Sequence, residues 1–222
     1  RLLGDIYLSD SKRVSMKSIR QLVIGQQFGQ IELSLPKELT RYQQQQQAIK
    51  MIATAIKKLS QGRQFYLLNT LGETDDTNKL DALWLEAWLT DKLLGPAAEG
   101  SREALLAQYA EQLSVFRAKV AINLYRAELS TNTQNHQQAF YASFGQYWDN
   151  TNDAPYTFSA IVYQGPLYYQ KLWQQQLAQY IYQSTKSCLN QAAVFDTLVV
   201  NENAHSIESI LLALLGSPVD AD

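Results

Sequence analysis

The apolar positions of this chain repeat every two residues near its start and every three to four over most of the remainder. Gly4-Asp5-Ile6-Tyr7-Leu8 reads as a short strand, followed by a turn over residues 9–13. Ile31, Leu33 and Leu35 alternate with polar residues, as a half-buried strand requires, while residues 18–27 fit neither period clearly. Pro36 and Lys37 are expected to open a helix that runs to about Ser60, because proline is tolerated in a first turn. Its stripe is Leu39, Tyr42, Ile49, Ile52, Ala53, Ile56 and Leu59, with Gln46 inside the stripe and Gly62 as the stop.

Further along, Phe65-Tyr66-Leu67-Leu68 reads as a third strand and residues 72–78 as a polar loop. Leu80, Leu83, Trp84, Ala87, Trp88 and Leu94 share one broad face of a helix over 79–94, which Gly95-Pro96 ends. Ser101 is an N-cap for a long helix to Leu129, and Glu103 complements its positive end. Residues 132–148 read as another helix and 149–155 as a loop. A helix over 158–185 follows, with a break expected at Gly165-Pro166. A shorter helix over 192–200 precedes a last one over 207–215, capped by Ser206 and closed by Gly216 and Pro218. The fold class expected is mainly α with a few short N-terminal strands. Residues 1–222 are expected to form a single domain, since neither loop is long enough to be a linker and no repeat recurs at a fixed period.

Composition narrows the function. Lys and Arg number 19 against 21 Asp and Glu, so the net charge of -2 gives no electrostatic basis for binding nucleic acid or an anionic membrane surface. No run of apolar residues reaches the roughly 18 of a membrane span. No signal-peptide pattern opens the chain, and Arg1 ahead of an apolar pair reads as the start of a processed or truncated product. Cys188 is alone, which excludes an intrachain disulfide and a cysteine metal cluster; it reads as a small packed or surface thiol. Glutamine is abundant, with 25 residues including the tract 43–47 and the trio 174–176. Because glutamine favours helix and does not titrate, these tracts read as helical.

His136 and His205 are the only histidines, read as an exposed helix start and a solvent-facing turn. Neither has a second histidine three to five residues away, so no two-histidine helix face can hold zinc. Asp75, Asp76 and Asp81 lack calcium-loop spacing and read as a solvated loop. Residues 25–29 lack the lysine and spacing of a phosphate-binding loop. No nucleophile elbow supports a Ser/His/Asp arrangement.

Several matches in the right order make the chain resemble the catalytic domain of the thimet oligopeptidase and oligoendopeptidase F metallopeptidases, over nearly its whole length. Leu3-Gly4-Asp5-Ile6-Tyr7-Leu8 with Lys12-Arg13 is similar to the strand before that family's active-site helix. The segment from Tyr42 to Ile49 is similar to aromatic-H-E-x-G-H-A-L, Leu83-Trp84-Leu85-Glu86-Ala87-Trp88 to a helix ending acidic-x-Trp, and Tyr168-Tyr169-Gln170-Lys171-Leu172-Trp173 to Tyr-Tyr-x-Tyr-Leu-Trp. Phe195-Asp196-Thr197-Leu198 and residues 211–218 resemble the closing region. The resemblance implies a zincin-like architecture, and a covering N-terminal lobe that is missing from this sequence.

It also implies that the chemistry has been replaced. The two zinc histidines would fall at Gln43 and Gln47, the general-base glutamate at Gln44 and the third ligand at Lys79. A family histidine would fall at Phe158 or Ser159, and substrate-facing tyrosines at Gln164 and Lys171; Tyr168 would line the same cleft. A neutral amide is a poor zinc ligand and cannot act as a base near neutral pH. No metal or other cofactor is expected at these positions. The expectation is an inactive, peptidase-like domain that binds a peptide or protein segment or serves as a scaffold. The alternatives are an unrelated helical interaction or oligomerisation domain, and an enzyme with other chemistry, for which no nucleophile–base pair can be named.

Overall fold

The computed structural model describes residues 4–21, 28–60, 77–126, 138–139, 141–142, 144, 156–187, 190–203 and 205–216. Among these the chain is mainly helical, with three strands: β1 (Asp5–Asp10), β2 (Ser15–Gln21) and β3 (Phe28–Leu35). The helices are α1 (Tyr42–Ser60), α2 (Leu80–Leu93), α3 (Arg102–Tyr125), α4 (Ala160–Tyr163), α5 (Tyr169–Thr185), α6 (Gln191–Phe195) and α7 (Ile207–Leu215). A 3-10 turn, Gly165–Tyr168, joins α4 to α5, and a π-helical turn, Asp196–Val200, continues α6. The expected strand at 65–68 and most of the expected helix at 132–148 lie outside the described residues, as do His136 and Cys188. No helix among the described residues is long and apolar enough to cross a membrane.

The chain divides into two compact units. One is Arg1–Pro96 with Gln174–Asp222; the other is Ala97–Trp173. In the first, the sheet order is β1-β3-β2, with β3 parallel to β1 and antiparallel to β2. The central strand buries Ile31 and Leu33 against Ala55 and Leu59 of α1, with Ile6, Met16, Met51 and Ile52 at the edge of the cluster. The alternation read at Ile31 and Leu33 thus marks the face that receives α1, which places residues a turn apart, 51, 52, 55 and 59, on its apolar side. α2 packs along α1 and buries Leu80, Trp84 and Leu85. Leu177, Ala178, Ile181 and Tyr182 of α5 are also buried.

The second unit is built on α3, whose Phe116, Ala118, Val120 and Ala121 pack with Phe158 and Tyr168. Its rings meet edge to face: Phe158 with Tyr168 at 5.4 Å and Phe116 with Phe144 at 5.9 Å between centroids. The Arg117 guanidinium lies over the Phe158 ring at 5.2 Å. Ser101 caps α3 through the Ala104 N–H at 3.2 Å, and Ser206 caps α7 through the Ser209 N–H at 3.3 Å, both as the residue types dictate.

Four boundaries depart from the sequence reading. β1 runs on to Asp10 because the Ser9 and Ser34 hydroxyls bond at 2.9 Å and the Ser11 N–H reaches the Leu35 carbonyl. β2 ends within the stretch 18–27 whose period the sequence left undecided, and begins three residues ahead of it at Ser15. α1 begins at Tyr42 rather than Pro36: the Arg41 carbonyl takes the first helical bonds, from Gln44 and Gln45, and the Gln45 side chain holds the Leu39 carbonyl at 2.8 Å. α3 ends at Tyr125 rather than Leu129, since Arg126 is already extended with ψ 114°.

Candidate functional site

Gln43, Gln44 and Gln47 occupy the first turns of α1. Gln43 and Gln47 are exposed and share one side, four residues apart; Gln44 is half-buried. Ala48 and Ile49, the next two residues, are buried, so the tract stands where α1 leaves the core. An exposed pair of primary amides offers two donors and two acceptors per side chain, a set that matches peptide groups and carries no charge.

Lys79 is exposed and immediately precedes α2. Its main-chain N–H donates to Gln174 Oε1 at 3.0 Å. The neighbouring Asp81 pairs with Lys57 at 2.8 Å, near the C-terminal end of α1. The start of α2 is therefore level with Lys57, roughly 15 Å along the α1 axis from Gln47 at 1.5 Å per residue. The structure brings Gln43, Gln44 and Gln47 together on one helix and does not bring Lys79 to them.

Gln164, Tyr168 and Lys171 belong to the second unit. Gln164 ends α4 and Lys171 lies in the first turn of α5; both are exposed. Tyr168 is buried among Phe116, Phe158 and their neighbours, so its ring serves that core. Phe158 is buried in the same cluster, with Ser159 beside it just ahead of α4. His205 is exposed, and its backbone N–H and carbonyl are both held by the Asn201 side chain, at 2.8 and 3.0 Å.

The polar chemistry with the most burial lies elsewhere in the first unit. Asp81, read from sequence as part of a solvated loop, is in the first turn of α2 with its side chain 13% exposed, paired with a Lys57 side chain 12% exposed. Burial of α2 against α1 is the physical reason: a carboxylate at a helix N-terminus facing a packed neighbour keeps its charge only with a cation beside it. Lys57 was detectable in principle, because it follows Ala53 by four residues on the flank of the apolar stripe. Gln174, 3% exposed, and Tyr182, also 3% exposed, tie α5 to the two ends of α2; Tyr182 donates to Asp91 Oδ2 at 2.6 Å. Burial, reinforced by the Asp91 carboxylate, pushes the Tyr182 hydroxyl up to about 12. In the second unit burial raises the Tyr156 and Tyr109 hydroxyls, the latter against the opposing charge of Arg117.

Among the described residues no three His, Cys, Asp or Glu side chains gather into a metal-binding group. Comparison with models of known families and with curated proteins gives no match.

Proposed function

We propose that this chain is a non-catalytic relative of the thimet oligopeptidase and oligoendopeptidase F catalytic domain, with a zincin-like architecture, and that it holds an extended peptide or protein segment. The observation that carries this reading is the amide tract at the start of α1: Gln43, Gln44 and Gln47 stand on a helix packed against a short sheet, at the positions where the motif would require two imidazoles and a carboxylate. Amides there neither grip a dication nor activate water. Their donor–acceptor pairs, exposed on one side of the helix, suit the backbone of an extended segment.

Two measurements on the purified chain test this. Elemental analysis is expected to find no stoichiometric zinc, and fluorescence-quenched peptides are expected to stay uncut. Titration with a set of labelled extended peptides is expected to give saturable binding that weakens when Gln43 and Gln47 are both replaced by alanine. Tightly held zinc with chelator-sensitive cleavage would overturn the reading, and so would a peptide set that never binds.

A second reading, a helical interaction domain, is favoured by one observation. In the second unit Val162, Tyr163 and Leu167 are 74%, 85% and 50% exposed, an apolar run unusual for a solvated surface. Sedimentation velocity over a wide concentration range distinguishes the two: self-association lost in Val162→Ser/Tyr163→Ser supports this second reading.

A further inference from the structure

We draw no further inference here: the strongest candidate, the exposed apolar patch of Val162, Tyr163 and Leu167 on α4 and the 3-10 turn that follows it, carries none, because nothing in the structure shows what covers it.

Discussion

Tyr182 of α5 donates its phenolic proton to Asp91 of α2 across 2.6 Å, with the tyrosine almost wholly buried and the aspartate at the surface. A hydrogen bond to a charged acceptor contributes more than one between neutral groups. Tyr182→Phe is expected to lower unfolding stability by about 1–2 kcal/mol near neutral pH, measured by urea denaturation. The pH dependence follows from the raised hydroxyl. The unfolded tyrosine loses its proton near 10 and the folded one near 12, so the folded state binds the proton more tightly over that interval. The contribution is complete below 10 and declines as pH rises from there through 12. The gap between the original chain and Tyr182→Phe is expected to close over the same range; a gap that stays constant would show that the proton is not held by this contact.

Gln174 lies two turns earlier on α5 and accepts the Lys79 N–H at the head of α2. Gln174→Met keeps the volume and removes the acceptor, leaving a main-chain donor unpaired. A loss of about 1–3 kcal/mol is expected, together with faster amide exchange at Lys79 and Leu80. Protection at those amides equal to that of the original chain would sink this assignment.

The spacing within α1 makes a metal prediction. Gln43→His/Gln47→His places two imidazoles on one exposed side of the helix and is expected to create weak zinc or cobalt binding, seen by competition with a chromogenic chelator. Adding Lys79→Glu is expected to change that affinity by less than about threefold, because the start of α2 is level with Lys57 and not with the tract. A large gain from the third substitution would show that Lys79 approaches the tract after all.

Gly165 sits at φ 53°, where the 3-10 turn leaves α4, and a Cβ there would meet the Tyr125 ring at 3.1 Å. Gly165→Ala therefore combines a left-handed backbone with a tight contact to a ring that also donates to the Ile161 carbonyl at 3.4 Å. A cost of about 1–3 kcal/mol is expected, with loss of near-ultraviolet tyrosine ellipticity. Gly95→Ala, whose Cβ meets open space at a similar φ of 71°, is the control for backbone strain alone and is expected to cost about 1 kcal/mol.

Where side-chain type alone decides the outcome, the sequence was readable. Ser101 and Ser206 cap helices, Gly95 and Gly216 leave them in left-handed conformations, and Ile31 and Leu33 face the core. It failed where a tertiary partner decides. β2 carries a register shift between Ser18 and Arg20, so its residues cannot keep an uninterrupted period of two, and the strand exists because β3 lies beside it. The start of α1 depends on the Gln45 side chain folding back to Leu39, which no propensity records. Of the polar residues that join elements, Lys57, Gln174 and Tyr182 look individually like ordinary helix surface and Asp81 like part of a solvated loop; only packing reveals which of them are enclosed. That Gln43, Gln44 and Gln47 share one helix was legible in the sequence, whereas the separation of Lys79 from Gln43 and Gln47 depends on how α2 lies along α1.

The strand order β1-β3-β2 also bears on how the first unit is made. The middle strand is the last of the three to be synthesised, so β1 and β2 cannot close together as a hairpin of neighbours. A ribosome releasing the chain from its N-terminus presents Ile6 and Met16 before Ile31 and Leu33 exist to receive them. Parallel pairing of β1 with β3 closes a longer loop than a hairpin would, which slows assembly relative to the helices. Until β3 has slotted in, both outer strands are open edges, and nascent copies on neighbouring ribosomes are each other's nearest false partners.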